Sequence, residues 1–289
     1  MTDDINLYLS YNHGYRPGGS SIVPSPVVGL LPVAERNDLL LYDEETSDAF
    51  ELGFKSRLMD GRATLNAAVY YQEFSDYLGF VRGLQVYPAP GYPVGNPEDL
   101  TGGIVFNGDA TTWGVEVEGQ ILITETWSFG GAASFNNSEW DDGAESPCNV
   151  YQPGEQIGSC AIDGQNTGGE PEWSASLNSE FYIPIDALEW YVRGLYSFTG
   201  ERDNTDASAG IGAVSSKFDE YSLFNLYTGI RSEDLSWDVT LWAKNVFDAD
   251  EVVYQQSSDQ YDIALSGGSY TQTNILKERT FGITGRYNF

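Results

Sequence analysis

Apolar residues recur at every second position along most of this chain, and the connections between the runs alternate between very short and very long. Ile5, Leu7, Leu9 and Tyr11 alternate with Asn6, Tyr8, Ser10 and Asn12. Phe50, Leu52 and Phe54 alternate with Glu51, Gly53 and Lys55. Ala63, Leu65, Ala67, Val69 and Tyr71 alternate with Thr64, Asn66 and Gln72, and Val115, Val117, Ile121 and Ile123 with Glu116, Glu118 and Gln120. A period of two is that of a strand. Further runs at 127–136, 173–183, 188–199, 221–231, 236–246 and 276–289 bring the total to about ten strands. Most are near the 9–11 residues that a tilted strand needs to cross a bilayer.

The short connections are an Asp60-Gly61 turn and the segments 124–126, 184–187 and 232–236. The long ones are 16–44, 76–111, 137–172, 200–219 and 247–274, all rich in Gly, Pro, Asn, Asp and Ser. Compact soluble domains seldom carry so many long structureless loops. Short turns at one end and long loops at the other are the pattern of an outer-membrane barrel, with the turns in the periplasm. The expected fold is therefore all-β, an antiparallel transmembrane β-barrel segment of about ten strands. Leu65, Ala67 and Val69 are expected to face lipid, and Asn66 and Gln72 the lumen. Trp127, Trp190 and Trp237 each follow a short turn on the apolar face, where an interfacial aromatic girdle belongs. Trp173 opens a descending strand and is expected in the outer girdle. A soluble acidic β-sandwich binding protein is the competing reading, and it leaves the loop asymmetry unexplained.

Composition narrows the partners. Lys and Arg together number 14 against 43 acids, a net charge of −29, so the chain repels nucleic acid. Aromatics at 14% argue for folded structure rather than an acidic disordered chain. No Lys or Arg falls between Arg82 and Arg193. Lumenal Lys55, Arg57, Arg193 and Lys244 are candidates for a local basic patch. The acidic excess disfavours a strongly anionic substrate. No run of 18 apolar residues is present, so no transmembrane helix is expected. The opening MTDDINLYLSY has neither a basic segment nor an apolar one, so a signal peptide is not visible.

Several stretches resemble TonB-dependent outer-membrane receptors. NLYLSYNHGYRPGG (6–19) is similar to a strand and loop entry of that family. Residues 45–77 resemble its Glu-x-Gly-x-Lys strand, Asp-Gly turn and following Asn-Ala strand. GDATTWGVEVEG (108–119), LWAKNVFDADEV (241–252) and KERTFGITGRYNF (277–289) resemble three later family segments, and all occur in family order. The resemblance implies a 22-stranded barrel closed by an N-terminal plug domain. About ten strands and no plug are visible, so residues 1–289 are expected to be the C-terminal portion of such a barrel. The resemblance further implies the outer membrane of a Gram-negative bacterium, with its lipid and lipopolysaccharide, as the location. It implies TonB, acting through the missing plug, as a partner, and energy-coupled uptake of a scarce bulky ligand such as an iron–siderophore complex. It also implies a terminal signal at Tyr287 and Phe289 for the barrel-assembly machinery. No cofactor and no catalysis are expected. A complete ten-stranded outer-membrane enzyme or adhesin is the alternative.

Individual residues add detail. Cys148 and Cys160 share a loop expected outside the cell, which favours a disulfide over free thiols. A metal site is disfavoured there, because no His or third Cys is near. Tyr87 and Tyr92 lie among four prolines in 85–100, and with Trp140 and Tyr151 they are candidate ligand contacts on the loops. His13 is the single histidine, and its surroundings resemble the receptor segment rather than a catalytic site. The acidic stretches 140–145 and 201–210 lack EF-hand spacing and read as solvated loops.

Overall fold

The computed structural model describes residues 4–22, 36–81, 85–86, 104–148, 150–151, 159–203, 217–257 and 271–288. Its main sheet has ten strands: β1 (Ile5–Arg16), β2 (Glu45–Leu58), β3 (Ala63–Val81), β4 (Ile104–Thr124), β5 (Trp127–Trp140), β6 (Trp173–Ile185), β7 (Leu188–Thr199), β8 (Tyr221–Ser232), β9 (Trp237–Lys244) and β10 (Thr280–Tyr287). They lie in chain order, each antiparallel to the next. The even count leaves β1 and β10 running in opposite directions. Among the described residues no strand pairs with the outer edge of either one, so the sheet is an open arc.

Tight turns join alternate strands. Asp60 and Gly61 both have left-handed φ, at 56° and 86°. Glycine adopts that region freely and aspartate tolerates it, which fits the turn between β2 and β3. Asp186 and Leu235 take the same backbone region in two other short turns.

The register carries the alternation across the sheet. Leu9, Leu52, Val69, Val115, Phe135 and Trp173 are successive cross-strand partners and form one apolar row. Ser10, Glu51, Tyr70, Gly114 and Asn136 form the polar row beside it. A slip of one residue would exchange the two faces, so this patterning pins the register. On the polar face, aromatic rings lie flat over glycines of the neighbouring strand. A Cβ on Gly53 would fall 2.5 Å from the Tyr8 ring, and one on Gly282 2.1 Å from that of Trp242.

The long connections depart from the expected structureless loops. β3 and β4 run well past the length needed to cross a bilayer, and their tops zip together over part of 76–111. A bulge between Phe74 and Tyr77, with Asp76 at φ 57°, lets β3 bend there and continue. Three other connections carry short antiparallel ribbons near their bases: Gly19–Ser20 with Leu41–Tyr42, Arg202–Asp203 with Lys217–Phe218, and Val252–Ser257 with Thr271–Ile275. In a further one, Glu145–Pro147 pairs with Ser159–Ala161.

The apolar core of the described residues sits at this long-loop end rather than inside the sheet. Ala110, Trp140, Ala144 and Ile162 are buried together, with Phe74, Tyr77 and Phe106 packed against them. Elsewhere most large apolar side chains are exposed on one face, the inverse of a soluble sandwich.

Candidate membrane interface and lumen wall

The apolar face ends in aromatic rows. Towards the long loops, Tyr11, Phe50, Tyr71 and Trp113 are successive cross-strand partners. The row then steps down by two residues to Phe135 and Trp173, because Trp113 pairs with Asn137 and Val115 with Phe135. The rings nevertheless stay in contact, with centroids 4.9 Å apart for Trp113–Phe135 and 4.8 Å for Phe135–Trp173. Such a step is what strands tilted by about 35–45° need to keep a belt level. Trp173 ends this row, beside Phe135. Of the other five aromatics, Tyr11, Phe50 and Tyr71 stand in the alternating apolar runs of the sequence, but no sequence signal joins the five into a belt, although each sits two places beyond an aliphatic residue of the same face.

At the short-turn end, Trp127 partners Phe181, Trp190 partners Ile183 and Ile230, and Trp237 partners Tyr287, all on the apolar face. Trp127, Trp173 and Trp190 are exposed and Trp237 is half-buried. The indole N–H of Trp127 donates to Ser179 Oγ at 2.9 Å, a polar handle suited to an interface. Phe289 lies outside the described residues.

Among the described residues, two concave cavities lie on the polar face. The first, about 610 Å³, is floored by small residues, among them Ala68, Ala132, Ser134 and Ser176, and edged by Glu51, Glu116 and Glu118. The Tyr8 hydroxyl donates to Glu51, and Asn66 Nδ2 donates to Glu118 Oε1 at 2.8 Å. The second, about 540 Å³, gathers Arg193, Arg231, Lys244 and Arg286 with Tyr191, Tyr227 and Trp242. Glu180 binds both Arg193 (2.6 Å to Nε) and Arg231 (2.9 Å), and Glu189 binds Arg231 at 2.6 Å. The expected basic patch is therefore divided. Arg193 and Lys244 meet here, joined by Arg231 and Arg286, whereas Lys55 and Arg57 lie on β2, with Lys55 over the Tyr8 ring.

The long-loop end holds the remaining candidates. Cys148 and Cys160 are joined in a disulfide, with Cα atoms 5.2 Å apart. Trp140, a candidate ligand contact, is only 7% exposed and packs in the small core, so it holds strand tops together and offers little surface to a ligand. Tyr87 and Tyr92 lie outside the described residues. Tyr151 is in a parallel ribbon with Gln85–Val86, so the two candidate loops meet along their backbones. His13 Nδ1 lies 2.9 Å from Asp48 Oδ1, which also accepts from the Tyr11 hydroxyl at 2.6 Å, all on the exposed rim. Among the described residues no group of three or more acidic, His or Cys side chains is placed to hold a metal ion.

Beyond the outer belt, Asn107 gathers three aspartates. Its amide accepts from the Asp43 N–H at 2.8 Å and donates to the Asp76 carbonyl at 2.8 Å, and the Asp76 N–H donates to Asp109 Oδ1 at 3.0 Å. Partial desolvation, then the Asp109 and Asp43 carboxylates, push the Asp76 carboxyl above the ordinary aspartate range. The charged form is thus disfavoured when folded. The associated stability is fully present below the unfolded pKa and is lost as pH rises through the folded one. Asp76→Asn, which keeps the left-handed backbone, is expected to slow amide exchange around Tyr77 and Gly108 at neutral pH. The difference from the parent chain should vanish in acid, and an unchanged exchange rate at neutral pH would count against the repulsion.

The family model for the TonB dependent receptor-like β-barrel matches residues 1–246. Comparison with curated proteins gives no match. Among solved structures, the ferric yersiniabactin uptake receptor FyuA from Yersinia pestis is similar over 100% of this chain and 36% of its own, with a TM-score of 0.63 at 19% identity. The ferric-catecholate import receptor Fiu from E. coli is similar over 100% and 34%, with a TM-score of 0.64 at 16% identity. The ferripyoverdine receptor of Pseudomonas aeruginosa gives 100% and 32%, with a TM-score of 0.62 at 15% identity. The chain spans about a third of the length of these receptors. With a family match over most of its length, the chain belongs to the TonB-dependent receptor β-barrel family of the Gram-negative outer membrane.

Proposed function

We propose that residues 1–289 are the C-terminal part of the wall of a TonB-dependent receptor that takes up a scarce, bulky ligand such as an iron–siderophore complex. One observation carries this reading. The open ten-stranded arc overlays, over its whole length, about a third of each of several receptors named for ferric chelates. An arc of this curvature encloses no channel by itself, and barrels of this class carry a plugged lumen. The plug and the contact to TonB would come from the rest of the receptor. Lipid and lipopolysaccharide cover the apolar face, and the barrel-assembly machinery reads Tyr287, at the end of β10, together with the C-terminal Phe289. The loops bearing Tyr87, Tyr92 and Tyr151 are the first places to seek ligand contact, since their backbones meet. The role is transport without catalysis or a resident cofactor.

The test is ligand-dependent growth of a receptor-deleted host carrying only residues 1–289 behind a signal peptide. No TonB-dependent growth on a ferric chelate is expected, while heat-modifiable gel mobility of the membrane-extracted chain should persist. TonB-dependent growth would remove the part-of-a-wall reading, and growth independent of TonB would point to a leak through an incomplete wall.

A further inference from the structure

The second cavity of the polar wall holds a cation that the wall itself does not use. Arg193, Arg231, Lys244 and Arg286 line it. Among the described residues, carboxylates answer three of them. Glu180 holds Arg193 and Arg231, Glu189 holds Arg231, and Asp238 lies 3.9 Å from Arg286. Near the short turns these groups form a ladder, in which Glu189, Arg231, Asp238 and Arg286 are successive cross-strand partners of alternating sign. Lys244 is left over. Among the described residues it has no carboxylate partner, and its ammonium stands 5.2 Å from the centroid of the Trp242 ring.

The bed beside Lys244 is aromatic and fixed. Arg193, Tyr227 and Trp242 are successive cross-strand partners on β7, β8 and β9, so the phenol and the indole are neighbours on the wall. The indole N–H donates to Thr284 Oγ1 at 3.1 Å, and the ring lies over Gly282, which holds it in place. The cavity, about 540 Å³, is within the range of small-ligand sites. One uncompensated positive charge beside two ring faces suits one negative charge on an apolar or aromatic body. A dianion would bring a second charge that nothing here balances. The first cavity is the opposite case, with Glu51, Glu116 and Glu118 against Lys55, and it repels the same group.

We propose that this cavity binds a single carboxylate carried on an aromatic or apolar body, with Lys244 as its counter-ion and the Trp242 and Tyr227 rings as its bed. The proposal rests on the receptor reading in taking this face as the lumen. Two carriers present that chemistry in a plugged lumen: an acidic side chain of the plug, or a carboxylate of the ligand in passage. The group recognised is the same for both, and experiment separates the carriers.

The probe is benzoate, titrated into residues 1–289 in detergent micelles, with benzamide as its uncharged match. Calorimetry is expected to show one benzoate per chain, with a fluorescence change that Trp242→Phe abolishes. Lys244→Gln should weaken binding about tenfold, the loss of one charge-assisted contact, and Lys244→Arg should keep most of it. Lys244 is exposed, so both variants should retain the heat-modifiable mobility of the parent chain. With that mobility intact, equal affinity for benzoate and benzamide, no binding of either, or indifference to Lys244→Gln would overturn the site and leave the wall reading standing. Absence of heat-modifiable mobility in the parent chain would overturn both. The full receptor then separates the carriers. Exclusion of benzoate from the cavity when the plug is in place would assign the carboxylate to the plug. Benzoate that still binds would assign it to the ligand in passage, and Lys244→Gln should then slow uptake of a carboxylate-bearing ferric chelate more than that of a neutral hydroxamate chelate.

Discussion

Arginine in place of Val69 is expected to destabilise the membrane-inserted chain by about 1–3 kcal/mol, below the roughly 2–4 kcal/mol that a lipid-facing charge costs at the midplane, because Val69 lies between the midplane and the outer belt. Val69 lies on the apolar row between Leu52 and Val115, two places below Tyr71 of the outer belt. From that depth an arginine has to reach past the aromatic row to find water. Asn66→Leu is the matched control on the other face. It removes the hydrogen bond to Glu118 and one from the Ser56 N–H, each of which contributes about 1 kcal/mol. Urea unfolding in lipid vesicles reads both. Should Val69→Arg prove harmless while Asn66→Leu abolishes insertion, the assignment of the two faces would be inverted and the membrane reading lost.

The ten strands were legible because each reads its own face locally. Leu65, Ala67 and Val69 on one side and Asn66 and Gln72 on the other need no distant partner to be recognised. The turns were legible for the same reason, since Asp60-Gly61 supplies its own backbone geometry. What the sequence hid was everything set by register. Arg231 and Glu180 are 51 residues apart, and nothing local to either announces the other. The outer belt was half visible. Each of its aromatics caps an aliphatic run, but only the pairing of strands shows that they lie side by side. Trp140 reads as a loop residue in the sequence because its neighbours, Asp141, Asp142 and Gly143, are those of an exposed loop. Its real surroundings come from the tops of β3 and β4 and from Ile162 beyond the disulfide. The fold therefore followed from local patterning, and the candidate sites depended on contacts across strands.

Arg231 is where such a contact matters most for stability. Its guanidinium binds Glu189 at 2.6 Å and Glu180 at 2.9 Å, and it lies between the Tyr191 and Tyr182 rings, 5.0 and 5.6 Å from their centroids. Its side chain and that of Glu189 are each 19% exposed, so the polar wall here is only partly wet. Arg231→Met is expected to cost about 3 kcal/mol, because it leaves Glu189 partly buried with its cation gone while Glu180 keeps only Arg193. Adding Glu189→Gln should recover part of that loss, since the orphaned charge goes with it. The coupling from the double-mutant cycle should be about 1–3 kcal/mol. Arg286→Met in the same ladder should cost less than about 1 kcal/mol, because that side chain is largely exposed and 3.9 Å from Asp238. If the two arginine variants proved equally mild, with no recovery on removing Glu189, the network would be a surface arrangement without energetic weight. The difference between them is what assigns energetic weight to the partly buried Arg231 network on β7 and β8 and little to the exposed Arg286–Asp238 pair on β10.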